Sequence, residues 1–479
     1  MGLLNCLNSD LEKDDHIFKS SYTKWPNGEI VLVQRGLENC LAVSGALCES
    51  FEGEQRDGYL LCPTSHTNRL ALNRLLPYTA PTAFGRKGAS FGFGDRLGFA
   101  NAAQVKAVAK TPLQPVLAQQ SLRELQLTGR TLSDVIDCAA WAVFREGYRS
   151  GYACDGDHLK TVEEIQEAVA QGCSMVTIDC SLVLRHNDQD ENALQQAFDR
   201  LPEEQKQRDL RNYLSDDRLS SMGLRFSKAE VARLHDIYDD ALQLIRKAYW
   251  EVLIPANRPI DLEVSLDETE ETTTPEAHYF VAKELECAKV YVTSVAPKFV
   301  GEFQKAIDYI GDLQELKAQM AVHAKISDYF GYKLSLHSAS EKFSVLAMLA
   351  ELSGWHYHIK TSGTSWLEVV ETISKTDPTL YRRIHRAALK SVEQAKKYYV
   401  VHCDLTKVSP LDEMVDEALP SYLLQNDARQ MLHITYGYVL SDPELKEDIL
   451  LFLKKNRSLY EREAEDLYDR HLQLCVRPK

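Results

Sequence analysis

From Ser90 onward, short runs of apolar and small residues alternate with stretches whose apolar positions recur at helical spacing. Eight such runs can be placed, at 90–98, 115–121, 151–160, 174–181, 261–270, 290–299, 332–340 and 357–365. Helical patterns over 132–146, 161–171, 228–252, 277–288, 303–330 and 344–352 separate them. Eight strands joined by helical crossovers predict an α/β fold, a (β/α)8 TIM barrel over residues 86–366. Residues 1–85 read as an N-terminal lobe, with strand patterns in EIVLVQRG and GYLLCPT and a helix in HTNRLALNRLLPY. Residues 367–479 read as a C-terminal helical extension whose last helix runs over 443–471. The charged insertion at 182–228 is expected to form helices and a loop over the barrel mouth, as a lid or a subunit contact.

Alternation along the strands assigns side chains to the two faces. Thr177 and Asp179 share a face opposite Val176 and Ile178, and because the apolar face must meet the helices, Asp179 is expected to point into the barrel. The same reasoning places Glu263, Ser265 and Asp267, then Lys333, Ser335 and His337, then His358 and Lys360, on the inside. Glu268 falls on the other face unless the chain turns at the strand end. Asp157 and His158 also point apart in an extended strand, and Gly156 is expected to supply the turn that brings them together. Polar residues thus collect at the C-terminal ends of the strands, where a barrel builds its active site.

Three imidazoles converging from different strands, His158, His337 and His358, are the candidate ligands of one divalent metal ion. Zinc is the first choice by this chemistry, with Mn, Fe, Co or Ni as alternatives. Asp157, Asp267 and Glu268, together with Asp179, are the candidates for proton transfer or for oxygen ligation, and a carboxylate of Asp179 or Glu268 is the alternative to His358 as third ligand. The acids also have structural alternatives, as helix caps or as partners of Arg96 and Lys360. Asp95, Arg96, Asp179, Lys360, Ser362 and Gly363 are candidates for substrate contact, the last two in a glycine-containing loop ahead of a helix. Lys333 is expected to pair with Glu263. GFGDRLG lacks the order of a phosphate-binding fingerprint, so no nucleotide cofactor is expected.

Composition narrows the partners. A formal charge of −15, from 70 acids and 55 bases, disfavours nucleic acid and anionic membranes. The 11 cysteines are odd in number and contain no CxxC pair, which fits reduced thiols in the cytoplasm. The start, MGLLNCLNSDLEKDD, turns acidic too soon for a signal peptide. A homo-oligomer is compatible with all of this.

The ordered set SFGFGDRLG, GYACDGDHLK, VTIDCS, EVSLDETEETTTPEAHYF, SVAPKFVGEFQKAIDYIGD, YKLSLHSASEKFS, HIKTSGTSWLE and RQMLHITYG resembles the tagaturonate/fructuronate epimerase family, metal-dependent barrels of the tagatose 4-epimerase type. The resemblance implies an isomerase of bacterial hexuronate catabolism that inverts carbon 4 of a keto-uronate. The Asp157-His158 pair and the Leu336-His337-Ser338 segment are also similar to zinc-dependent class II aldolases, in which the Asp handles a proton and the histidines bind metal. Because carbon 4 is β to the ketone, its hydrogen is not acidified. Cleavage between carbons 3 and 4, rotation of the aldehyde fragment and re-addition is the route this implies. Three alternatives stay open: an epimerase of neutral ketoses such as tagatose and fructose, an aldolase that releases its fragments, and an inactive barrel acting as a binding protein.

Overall fold

The structure is a computed structural model and describes residues 2–13, 15–269, 271–361 and 363–477. Strands β1 (His16–Trp25), β2 (Gly28–Arg35), β3 (Glu38–Gly45), β4 (Glu54–Arg56) and β5 (Tyr59–Pro63) form an antiparallel sheet in the order β1-β2-β3-β5-β4. Two of these strands were legible as hydrophobic runs. β1 was not, because HIFKSSYTKW is largely half-exposed and carries no apolar stripe. The lobe's core joins the barrel through Trp141 and Phe144 of the helix Leu132–Glu146.

The barrel strands are β6 (Ser90–Phe93), β7 (Gln114–Ser121), β8 (Ala153–Leu159), β9 (Met175–Asp179), β10 (Asp261–Leu266), β11 (Ser294–Pro297), β12 (Lys333–Leu336) and β13 (Tyr357–Thr361). They pair in parallel and close in the order β10-β11-β12-β13-β6-β7-β8-β9, with β13 against β6. This is the expected TIM barrel. Capping fixes the crossover helices: Thr131 and Thr161 each form a reciprocal capping box, with Asp134 and Glu164 respectively, and Gly147 and Gly172 end the same helices in the left-handed region.

Four segments depart from the expected elements. The 303–330 helix begins only at Leu313, where Asp312 caps it through the Gln314 amide at 2.7 Å. The residues before it form a loop closed by a bridge between Glu302 and Ile310, so Lys305 lies on the loop. The last helix is two, Pro443–Lys455 and Arg457–Cys475, interrupted at Asn456, whose side chain bonds the Phe452 carbonyl at 3.0 Å. The helix Asn101–Val108, absent from the sequence reading, fills the space between β6 and β7 and packs on Arg457–Cys475. The helix after β13, Thr364–Thr376, runs past residue 366.

The insertion carries helices Glu191–Asp199, Glu203–Asp209 and Asp217–Met222. Despite its charge it contributes Leu194, Phe198, Tyr213 and Leu219 to the main core, packing on the outer helices Lys228–Ala248 and Pro275–Cys287. Arg382, Arg383 and Arg386 pair with Asp416, Asp448 and Asp412, an ion-paired face. All the cysteines are free thiols. Among the described residues no helix is long and apolar enough to cross a membrane.

Candidate metal centre and active site

The C-terminal ends of β8, β10 and β12 meet at the barrel mouth. The turn at the end of β8 is made by His158 itself, at φ 56°, where the pairing with β9 slips between Gly156 and Leu159. It brings Asp157 and His158 into one cleft of about 250 Å³. Gly156 does not provide the turn. A Cβ there would stand 2.9 Å from Ala168, so the glycine lets the helix Val162–Gln171 lie close against the strand.

One ligand atom from each of His158, Asp267 and His337 lies within 4.8 Å of the others. Asp157 Oδ1 sits 2.7 Å from His158 Nδ1, and Glu263 Oε1 sits 2.7 Å from His337 Nε2. Each carboxylate accepts a hydrogen bond from its imidazole, so that in the neutral ring the opposite nitrogen carries the lone pair. Those two nitrogens, His158 Nε2 and His337 Nδ1, are buried and make no well-aligned hydrogen bond among the described residues, although carboxylate oxygens of Glu268 and Asp267 stand 3.5 and 3.0 Å from them. Two orphaned lone pairs beside a carboxylate are what a divalent cation requires, and the carboxylate behind each imidazole completes the support. Asp267, expected as a proton-transfer residue or an oxygen ligand, joins the candidate ligand group, with Oδ1 3.0 Å from His337 Nδ1, and accepts from Ser265 Oγ at 2.6 Å.

His358 is not part of this group. Its Nδ1 meets Ser90 Oγ at 2.9 Å, and burial pushes its pKa down to about 3, keeping it neutral. Lys333 does not pair with Glu263. Its ammonium reaches Ser90 Oγ at 3.1 Å and Gln114 Oε1 at 3.0 Å, and burial lowers its pKa to about 8.

Lys360 holds the supporting acids together. Its ammonium lies 2.7 Å from Asp155, 2.7 Å from Asp157 and 3.0 Å from Glu263, and it also bonds Thr177. Burial opposes its charge, but the three carboxylates outweigh burial and hold its pKa well above the usual value. Burial pushes Asp155 up to about 6 in spite of Lys360. For Asp157 burial acts the same way, yet His158 and Lys360 prevail and hold the carboxyl well below its usual range. Burial disfavours the His337 imidazolium, but Asp267 and Glu263 raise it to about 9. A mouth this rich in carboxylates favours positive charge, whether a proton or a metal ion.

The remaining candidates scatter. Glu268, about half exposed, lies 3.5 Å from His158 Nε2 and borders the cleft. Asp179 also lines it, pairing with Lys160 at 3.3 Å and accepting from the Ser181 amide. Arg96 lines it too, fixed by Glu124 at 2.8 Å and by the Tyr436 ring 3.6 Å away. Asp95 does not reach it, because its oxygens accept from the amides of Leu97, Gly98, Ala100 and Asn101. Gly363 lies against the ring of His433, which occupies the space a Cβ would need. Ser362 lies outside the described residues.

Sequence reasoning missed the supporting role of Glu263, although its inward face was assigned correctly. It also missed Arg123, Lys305 and Tyr399, which line the cleft from the short helix Leu122–Thr128, from a loop and from the extension and have no strand periodicity to reveal them.

A second group of potential ligands, Asp209, His235 and Glu284, is buried beside the insertion. Here the donors are already present: Arg208 pairs with Asp209 and Glu284 at 3.1 and 3.2 Å, and Tyr213 donates to Glu284 at 2.7 Å. His235 is bonded through both nitrogens. It is a satisfied ion network.

The chain matches the tagaturonate epimerase family over residues 15–475. It is 36% identical over 468 residues, covering 96% of each chain, to the tagaturonate/fructuronate epimerase of Thermotoga maritima. Crystal structures of the fructuronate-tagaturonate epimerase UxaE from Cohnella laeviribosi superpose closely. The form with one glycerol has a TM-score of 0.93 at 40% identity, with 98% of both chains covered. The form with two glycerols has a TM-score of 0.94 at 39% identity, with 99% of both chains covered. With its barrel, its mouth of imidazoles and carboxylates, and likeness along almost its whole length, the chain belongs to the tagaturonate epimerase family.

Proposed function

We infer that this protein is a metal-dependent isomerase that interconverts tagaturonate and fructuronate by inverting carbon 4 of the keto-hexuronate. The observation that carries the metal is the pair of orphaned imidazole nitrogens, His158 Nε2 and His337 Nδ1, beside the Asp267 carboxylate. These three residues would hold a divalent ion, zinc by ligand chemistry, acting as a Lewis acid toward the substrate ketone.

The protein's own groups supply positioning and proton transfer. Lys360 keeps Asp157 and Glu263 ionised and in place, and they in turn orient His158 and His337. Glu268, at the rim and half exposed, is free to take the proton of the carbon 4 hydroxyl. Loss of that proton lets the bond between carbons 3 and 4 break, its electron pair passing to the keto fragment. The aldehyde fragment turns, the bond re-forms on its other face, and the proton returns to the carbon 4 oxygen. No atom or electron is gained or lost in the cycle. The test is a panel of tagaturonate, fructuronate, tagatose and fructose followed for epimer formation and for free aldehyde. Interconversion of the two uronates alone is expected. Accumulation of aldehyde would assign an aldolase, and turnover confined to the neutral sugars would overturn the uronate reading.

A further inference from the structure

A keto-hexuronate differs from a neutral ketose by a carboxylate at the end of the chain remote from the ketone, and that anion must enter a mouth already lined by Asp157, Asp267 and Glu268. Like charges about 4 Å apart near a protein surface repel by about 4 kcal/mol, unless a cation meets the incoming one. Two cations at the rim have no acid of their own. Arg123, following β7, holds its guanidinium 4.9 Å from the Tyr399 ring centroid. Lys305, in the loop after β11, donates to Ser338 Oγ at 2.9 Å. Among the described residues neither forms an ion pair. The other bases here are engaged: Arg96 with Glu124, Lys160 with Asp179, and Lys298 with the Thr269 carbonyl.

Their placement suits a bridging role. β7 and β11 stand four strands apart in the closed ring, on opposite sides of the mouth. Arg123, Lys305, Glu268 and Tyr399 line both the 250 Å³ cleft over His158 and the neighbouring 740 Å³ cleft over His337. An acyclic six-carbon acid with its ketone at the imidazoles would direct its far end toward this shared rim. We propose that Arg123 and Lys305 form a carboxylate clamp that selects keto-uronates over neutral ketoses, with Tyr399 of the C-terminal extension holding Arg123 in position. This rests on the epimerase reading above.

The experiment compares Arg123→Gln, Lys305→Met and the double variant with the wild type. It measures KM and kcat for fructuronate, metal content, and competitive inhibition by a six-carbon aldonate and by the corresponding alditol. Each single change is expected to raise the fructuronate KM and the aldonate inhibition constant ~10- to ~10²-fold, the scale of a charge-assisted hydrogen bond. Metal content and alditol inhibition should stay at wild-type values, and Lys305→Arg should recover most of the loss. A parallel rise for aldonate and alditol, or no change for either, would overturn the clamp. If the wild type fails to turn over fructuronate, the epimerase reading falls. Calorimetric binding of the aldonate against the alditol, on the same variants, then still decides whether the clamp exists.

Discussion

Replacing Lys360 with Met tests the ion network beneath the candidate metal centre. The ammonium is the shared partner of Asp155, Asp157 and Glu263, at 2.7, 2.7 and 3.0 Å, and all four side chains are buried. Removing one member of a buried ion pair usually costs about 3–5 kcal/mol, because a charge is left without compensation. Here three carboxylates lose their common cation, and the cheapest relief is a proton on Asp155, whose pKa burial has already raised to about 6. A carboxyl with a raised folded-state pKa leaves stability intact below its unfolded value and removes it as pH rises toward the folded value. The deficit of Lys360→Met should therefore be smaller at pH 5, where Asp155 is protonated, than at pH 8, where it reaches about 3–5 kcal/mol. Urea unfolding of both proteins at the two pH values measures it. Because Asp157 also loses its anchor, metal affinity at pH 8 should fall ~10- to ~10²-fold, as when other supporting groups of metal ligands are lost. A variant as stable as the wild type at pH 8, or a deficit that grows on acidification, would refute the reasoning.

Three further outcomes are expected. His158→Ala and His337→Ala should lose bound metal by elemental analysis while His358→Ala keeps it, since only the first two belong to the candidate ligand group; equal losses in all three would reject this division. Asp157→Asn should weaken metal binding ~10- to ~10²-fold through its hold on His158, whereas full metal content with a slow rate would return Asp157 to the proton-transfer role. Glu368 is pushed up to about 8 by burial, with Glu371 and Glu341 adding to it, so its ionisation costs stability as pH climbs from 4.5 toward 8. Glu368→Gln should thus gain a few kcal/mol over the wild type at pH 9 (~1.4 per pKa unit) and nothing at pH 4, by urea denaturation.

The barrel was legible because its signal is periodic. Burial on both faces writes each strand as a short apolar run, and alternation alone places Glu263, Asp267, His337 and Lys360 on the inward face. Period two cannot say at what height along the barrel a side chain lies. His337 follows the last residue of β12, whereas His358 is the second residue of β13, so the two imidazoles sit at different levels and only one reaches the mouth. The turn at His158 was assigned to Gly156 because glycine is the usual carrier of positive φ, and a strained histidine leaves no mark in sequence. Lys305 was hidden by a helical pattern that began too early. Gly311 and Asp312, the real start signal, lie inside that pattern.

The C-terminal extension takes part in the site. The Arg96 guanidinium is almost completely buried, at 2% exposed, which is affordable only with compensation on several sides. Glu124 of the barrel supplies the charge, and the Tyr436 ring of the extension covers the guanidinium face at 3.6 Å. The barrel and the extension are further joined by Trp366, whose indole donates to the Leu432 carbonyl at 2.9 Å. Tyr399 lies on the same extension and faces Arg123. A displacement of the extension would thus uncover a buried cation and release a rim cation together. The packing that stabilises the barrel on this side is also what fixes the positive groups at the mouth, so changes at Tyr436 and Tyr399 should be felt in substrate affinity as well as in stability.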